Sequence, residues 1–458
     1  MVSISGIRGV IGETLTPEIT VQYAAAFGEY CRRRSGGKPS VVVGWDGRVT
    51  GSMITNLACS TLAATGADVR LLGICPTPTV QLAVEKEHAS GGISITASHN
   101  PVEWNGMKFI APTGMFLDGR ENQEFWSLAE KPGRYVRWKE VGAIATDDTW
   151  LQRHVDDVFA LPFLDPSLVR RRRFRVVLDC VNAAGGVIVP AMLEQLGCTV
   201  IRMNCDVSGV FQHTPEPIPE NLTDLAAAVQ REKADMGIAV DPDVDRLVLI
   251  NEQGIPYGEE YTIASAVKFI LSKIPPRTGT THTVVVNLST TRAVEDIARQ
   301  AGAHVVRTPV GEINVARKME ELGAIIGGEG SGGVILPAVH LGRDAMVGIG
   351  LILQLLAEHG GTLSSLKASL PQYAIAKGKI SLGNAKSDSI LRQIAKEQQG
   401  AARLTTDDGV KLDYPDFWVH LRKSNTEPII RIIAEGATME HARALVEKFT
   451  SLITKKLA

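Results

Sequence analysis

The sequence predicts an α/β protein: three similar α/β domains followed by a smaller α+β domain. Three observations carry this. A unit of strand, polar loop, helix and small-residue turn into a second strand occurs three times. The chain has 458 residues, enough for about three domains of ordinary size. Its last stretch, about ninety residues, departs from that unit and reads as hairpin strands with one helix.

In order, the first unit runs from Val41-Val42-Val43 through a helix at 54–64 to Gly66-Ala67-Asp68-Val69. The second runs from Val176-Val177-Leu178 through 187–196 to Gly197-Cys198-Thr199-Val200. The third runs from Val284-Val285-Val286 through 293–300 to Gly302-Ala303-His304-Val305. In each, a glycine past the helix end stops the helix, and the valine-rich strands suit sheets covered on both faces. The domains are expected at 1–150, 151–252, 253–370 and 371–458. In the last, Asp407-Asp408-Gly409 reads as a hairpin turn, and Phe417-Trp418-Val419-His420-Leu421 and Ile429-Ile430-Arg431-Ile432-Ile433 read as strands. Thr438 is placed to cap a final helix with Ala442, Leu445, Val446, Phe449, Leu452 and Ile453 on its apolar face.

Composition excludes some partners. At 44% hydrophobic and 21% charged, large cores form, and a net charge of −2 argues against nucleic acid or an anionic membrane. The basic cluster Arg170, Arg171, Arg172, Arg173 and Arg175 is expected to be a solvated connecting segment. Six cysteines form no C-x-x-C pair and read as free thiols of a reducing cytoplasm. No apolar signal core follows the N-terminus, and the apolar run 346–357 is too short to span a bilayer.

Four stretches carry chemistry. Thr96-Ala97-Ser98-His99-Asn100-Pro101 closes the alternating run Ile93-Ser94-Ile95, with Lys108 beyond the turn-type pair Asn105-Gly106. A serine, a histidine and a lysine this close suit nucleophilic chemistry, and a polar surface turn accounts for the hexapeptide equally well. Asp241-Pro242-Asp243-Val244-Asp245-Arg246 closes another apolar strand. Three carboxylates at alternate positions repel one another unless a cation sits among them, and such hard oxygen ligands suit Mg²⁺; the rival is a solvated acidic turn. Gly327-Gly328-Glu329-Gly330-Ser331-Gly332-Gly333 permits close backbone approach, with Glu329 and Ser331 suited to sugar hydroxyls. A dinucleotide fingerprint is rejected because Val334-Ile335-Leu336-Pro337, not a helix, comes next. Arg422-Lys423-Ser424-Asn425-Thr426-Glu427-Pro428, with Arg431 beyond, reads as a phosphate clamp or a polar hairpin loop.

These four stretches, in this order, resemble the four active-site loops of the α-D-phosphohexomutase superfamily, and Ser5-Gly6-Ile7-Arg8-Gly9 is similar to its N-terminal signature. The resemblance covers essentially the whole chain. It implies three related α/β domains with mixed sheets and a smaller fourth domain around a central cleft. It implies a phosphoryl group on Ser98 and Mg²⁺ held by Asp241, Asp243, Asp245 and that phosphoserine. Arg8 and Lys108 are then expected near the phosphoserine, Lys108 and His99 as proton-transfer groups, and Arg246 on the substrate side of the metal loop. Glu329 and Ser331 are expected to hold sugar hydroxyls, and Arg422, Ser424, Asn425, Thr426 and Arg431 the non-reacting phosphate. The implied reaction interconverts hexose 1-phosphate and hexose 6-phosphate through a hexose 1,6-bisphosphate. A phosphoserine-dependent phosphatase and a non-catalytic sugar-phosphate sensor are the rivals from other classes.

Two departures bear on the sugar. Gly333 stands where mannose/glucose and glucosamine mutases usually carry histidine, and Pro309-Val310-Gly311-Glu312 resembles the glucosamine-type segment. The expectation leans to glucosamine phosphate, with mannose and glucose phosphates as alternatives. Glu312 is equally readable as the start of a helix. Monomer and homodimer both stay open.

Overall fold

The computed structural model describes residues 2–3, 6–276, 279–381, 387–423 and 429–457. Four sheets follow one another along the chain. The first holds β1 (Val2–Ser3), β2 (Gly6–Val10), β3 (Ser40–Trp45), β4 (Asp68–Ile74), β5 (Gly91–Ile95), β6 (Trp104–Ile110) and β7 (Ile144–Thr146), in the order β1-β2-β6-β5-β3-β4-β7. The second holds β8 (Arg175–Asp179), β9 (Thr199–Met203), β10 (Met236–Val240) and β11 (Leu247–Asn251), ordered β11-β10-β8-β9. The third holds β12 (Thr283–Asn287), β13 (His304–Thr308), β14 (Ile326–Glu329), β15 (Gly333–Leu336) and β16 (His340–Arg343), ordered β13-β12-β14-β15-β16. The fourth holds β17 (Ala374–Ser381), β18 (Arg403–Thr405), β19 (Val410–Asp413), β20 (Trp418–Lys423) and β21 (Ile429–Gly436), ordered β17-β21-β20-β19-β18.

The three predicted units form the parallel heart of the first three sheets. Helices Gly51–Ala64, Gly185–Gln195 and Ala293–Gln300 each cross from one strand to a parallel neighbour: β3 to β4, β8 to β9 and β12 to β13. Each of these sheets then adds antiparallel pairs, β5–β6, β10–β11 and β14–β15, so all three are mixed. The fourth is antiparallel throughout. Asn105 and Gly106 are no turn; they lie inside β6. Gly106 is required there because a Cβ would stand 2.8 Å from Thr96 O and nearer still to Ile7 O on the other side.

Packing joins the first three sheets. One apolar cluster runs from Val42 and Val80 through Leu178, Met192 and Phe269 to Val286, Ile352 and Leu366. The run 346–357 lies in helix Ala345–His359, buried along nearly its whole length and capped by Asp344, whose Oδ1 accepts from Met346 N at 2.8 Å. No helix among the described residues is long and apolar enough to cross a membrane. The fourth sheet has its own core, in which Ile430, Ile432, Leu421 and Val419 meet Phe449 and Ile453 of the last helix. Thr438 caps that helix as predicted, accepting from His441 N at 3.1 Å. The basic cluster is solvated at Arg170, Arg171 and Arg173, and Arg170 and Arg172 also bond to neighbouring helices. Arg172 donates to Leu356 O and Gly361 O at 3.1 and 3.0 Å, and Arg170 to Gln195 O at 2.8 Å, so these guanidiniums staple helix ends. The six cysteines are free, five of them buried.

Candidate active site

The predicted loops are hairpin connections. The serine loop joins β5 to β6, the aspartate loop β10 to β11, and the glycine-rich loop β14 to β15. Hairpin ladders therefore decide which residue stands beside each loop: Ser94 faces Lys108 across β5–β6, and Glu329 faces Gly333 across β14–β15.

Ser98 is buried at the first corner with a left-handed φ of 51°. A non-glycine residue holds that conformation only where its surroundings over-determine it. The surroundings are one buried arginine. Arg48 donates from Nη2 to Ser98 O and Asn100 O at 2.6 and 2.7 Å, and from Nη1 to Pro101 O and Trp104 O at 2.8 and 2.9 Å. Its Nε bonds Asp46 Oδ2 at 3.0 Å; that carboxylate also accepts from Thr96 Oγ1 at 2.6 Å, and Thr96 Oγ1 accepts from Ser98 N at 2.8 Å. Sequence reading missed Arg48. The available signal was Asp46-Gly47-Arg48 at the carboxyl end of a parallel strand, where such sheets place their sites.

Asp241, Asp243 and Asp245 are buried, with ligand-capable oxygens within 4.8 Å of one another. Each carboxylate has one committed oxygen. Asp241 Oδ1 accepts from Asp245 N and Arg246 N, both at 3.1 Å. Asp243 Oδ2 accepts from Lys108 Nζ at 2.6 Å and Thr77 Oγ1 at 2.8 Å. Asp245 Oδ2 accepts from Arg343 Nη2 at 2.6 Å and Lys108 Nζ at 3.2 Å. Of the other oxygens, Asp243 Oδ1 and Asp245 Oδ1 are buried with no hydrogen-bond partner, and Asp241 Oδ2 stands 3.3 Å from Ser98 Oγ. Orphaned buried carboxylate oxygens are what an oxygen-seeking cation satisfies. Electrostatics agree. Burial, then the charges of Asp245 and Asp243, pushes the Asp241 carboxyl well above its ordinary value. Asp245 is held below its own, with Arg343 and then Lys108 outweighing burial. Val244, at φ 60°, makes the turn that sends its flanking aspartates the same way.

The cavity beside them, about 720 Å³, is walled by all four sheets. The first contributes Arg8, His99 and Lys108, and the segment around the second Glu216 and Arg246. The third supplies Glu312, Glu329, Ser331 and Arg343, and the fourth Lys377, Lys379, Arg422 and Arg431. His99 Nδ1 is 3.3 Å from Ser98 Oγ, and burial, with Arg246 and Arg8 close by, pushes the imidazole well below its usual value. Lys108 stays charged because Asp243 and Asp245 outweigh its burial. Arg8 reaches Asn100 Oδ1 at 3.4 Å, and Arg246 Nε lies 3.8 Å from Asp245 Oδ1. Ser424, Asn425 and Thr426 lie outside the described residues.

Arg343, also missed, links three carboxylates. Besides Asp245, it donates from Nη1 to Glu329 Oε2 at 2.7 Å and from Nε to Glu312 Oε2 at 3.1 Å. Glu329 Oε1 accepts in addition from Asn287 Nδ2 and Gly311 N at 2.8 and 3.0 Å. Glu312 reconciles both of its readings: it begins helix Glu312–Leu322 and also lies in the cavity wall, tied to Arg343. Gly330 packs against Glu260, whose half-buried carboxylate lies where a Cβ would stand. The sequence held no local signal for Arg343, because its partners lie 14, 31 and 98 positions away.

Comparison with known proteins places the whole chain in one family. Residues 2–135, 152–254 and 258–373 match domains I, II and III (alpha/beta/alpha) of phosphoglucomutase/phosphomannomutase, and residues 379–452 match its C-terminal domain. The chain is 35% identical over 453 residues to a probable phosphoglucosamine mutase of Methanopyrus kandleri, covering 98% of this chain and 97% of that one. It is also 35% identical over 454 residues to a phosphoglucomutase/phosphomannomutase of Thermococcus kodakarensis, covering 99% and 98%. The crystal structure of a putative phosphomannomutase from Thermus thermophilus superposes with a TM-score of 0.85 at 26% identity, covering 99% of each chain.

Proposed function

The chain belongs to the phosphoglucomutase/phosphomannomutase family, and on that premise we propose that it interconverts hexose 1-phosphate and hexose 6-phosphate through a phosphoryl group carried on Ser98. The observation that carries the proposal is the facing of Ser98 Oγ and Asp241 Oδ2 across 3.3 Å, with the orphaned oxygens of Asp243 and Asp245 alongside. These four oxygens suit Mg²⁺, whose chemistry when bound is to draw charge off the phosphoryl group and the serine oxygen.

Phosphoryl transfer is governed by position and charge, because the transition state is loose and its charge spreads over the equatorial oxygens. Arg48 holds the serine corner rigid, so Ser98 presents its oxygen at one place. Lys108, Arg8 and Arg246 supply fixed positive charge on the same side of the cavity. In-line transfer puts the serine oxygen and the sugar oxygen on opposite sides of phosphorus, so His99, beside Oγ, serves the proton that Ser98 gains and loses. The Ser98–phosphorus bond breaks as the bond to the oxygen of the free sugar hydroxyl forms; that hydroxyl gives up one proton and Ser98 takes one up, giving the hexose 1,6-bisphosphate. After the sugar turns over in the cavity, its other phosphate returns to Ser98. Glu329 and Ser331 hold hydroxyls in both orientations. Arg422 and Arg431 face the phosphate that is not in transit.

Among sugars we favour glucosamine phosphate. Glu260 and Glu216 line the cavity wall beside Glu312 and Glu329, the pair that Arg343 ties, and oxygen acceptors of this kind suit an amine better than imidazoles would. The Methanopyrus relative carries the matching name. The test is to supply glucosamine, glucose and mannose 1-phosphates with Mg²⁺ and follow 6-phosphates and free phosphate. Isomerised product is expected, fastest from glucosamine 1-phosphate. Free phosphate as the main product would make the protein a phosphatase, and a tenfold advantage for glucose or mannose, about 1.4 kcal/mol, would reassign the sugar.

A further inference from the structure

The fourth sheet turns two faces to different surroundings. On one, Ile380, Ile430, Ile432 and Leu421 join the core under the last helix. Residues alternating with these face the cavity. There, Lys379 of β17 stands directly opposite Arg431 of β21, and Arg431 stands directly opposite Arg422 of β20. Three cations thus occupy one row across three strands.

Such a row is unfavourable by itself. Like charges directly opposite one another on one sheet face destabilise it. Arg422 is relieved by Asp408, whose Oδ2 accepts from its Nε at 2.8 Å. Lys377, two residues before Lys379, is tied to Glu259. Among the described residues, Lys379 and Arg431 have no such carboxylate. A repelling pair that no carboxylate among the described residues relieves, and that lines a ligand cavity, is suited to an anion.

We propose that Lys379 is a substrate-binding residue that shares, with Arg431 and Arg422, the phosphate monoester dianion of the hexose phosphate on the side of the cavity remote from Ser98. This rests on the mutase reading for the identity of the ligand, whereas the row itself is a matter of strand register. The cation pair is relieved when the phosphate arrives, so binding energy and sheet stability are coupled.

The experiment compares wild type with Lys379→Met and Lys379→Arg, measuring Tm without ligand, the Kd of glucose 6-phosphate, and the split between kcat and KM. Removing the lysine relieves repulsion, so K379M is expected to melt no lower than wild type without ligand. It is also expected to bind glucose 6-phosphate about tenfold more weakly, the loss of one charge-assisted contact, with KM rising more than kcat falls. K379R is expected to recover most of the affinity. Unchanged affinity in K379M would overturn the proposal, as would a ligand-free Tm that falls in K379M, the mark of a merely structural side chain. Binding is read without turnover. A protein that binds through Lys379 yet does not isomerise would sink only the mutase reading; one that isomerises with K379M binding normally would sink only this inference.

Discussion

The side chain of Arg343 occupies the space that any side chain at position 333 would need. A Cβ on Gly333 would stand 3.0 Å from Arg343 Cγ and closer still to Cδ. Gly333 is therefore the complement of Arg343, and the absence of histidine there follows from which group fills the wall. Gly333→Ala should push the guanidinium off Asp245 and Glu329. Overpacking of this kind costs about 1–3 kcal/mol, and the displaced fork should lower kcat/KM at least about tenfold, by the transition-state relation. Steady-state kinetics and thermal melts check both; wild-type kinetics in the variant would mean that Arg343 moves aside freely.

Ser98→Ala should abolish turnover while leaving the fold unchanged. Alanine keeps the Cβ and hence the same left-handed backbone, and Arg48 grips carbonyls, not the hydroxyl. A fall in kcat of at least about 1,000-fold is expected for loss of a nucleophile. Intact mass should show one phosphoryl group on part of the wild-type sample and none on the variant. An active variant, or a phosphate elsewhere, would displace Ser98 from the mechanism.

Chelation of divalent metal should stop turnover without unfolding the protein. Lys108 and Arg343 already sit on the committed oxygens of Asp243 and Asp245, so part of the buried negative charge is offset before any metal arrives. Circular dichroism after EDTA should be unchanged and Tm lower by only a few degrees. Global unfolding on chelation would show the metal to be a structural requirement.

Acid should weaken the junction between the third and fourth sheets. His420 is buried, its Nδ1 2.9 Å from Ser289 Oγ and its Nε2 2.6 Å from Asp408 O. Burial first, with Arg422 and Lys411 adding to it, pushes its imidazole from 6.5 down to about 4. The unfolded chain therefore binds the extra proton in that window, so stability rises with pH from about 4 to 6.5, with a slope of at most about 1.4 kcal/mol per pH unit from this group. Denaturant melts at pH 5 and 7 should show a smaller difference in His420→Gln than in wild type. Equal differences would exclude His420 as the titrating group.

Much of this protein was legible in its residues alone. The glycine-stopped strand–helix–strand units, the aspartates at alternate positions and the serine ahead of Asn100-Pro101 are local patterns. Backbone sterics and spacing dictate local patterns, so the α/β class and the position of the three described loops at strand ends could be read without coordinates. Distant pairing could not. Asn105-Gly106 carries the local signature of a turn, yet lies within a strand because Ile7 and Thr96 crowd Gly106 from either side. Arg48 reaches a serine loop 50 positions away, Lys108 an aspartate 135 away, and Arg343 one 98 away. The row of Lys379, Arg431 and Arg422 exists only once strand register is set. A charged side chain takes its partner from whatever packing brings within about 4 Å, the range over which an ion pair acts, and the spacing of residues along the chain holds no record of that distance. The residue types each loop offers and its place at a strand end were thus determined by sequence, whereas the cations that hold and face the described loops were decided by the tertiary structure.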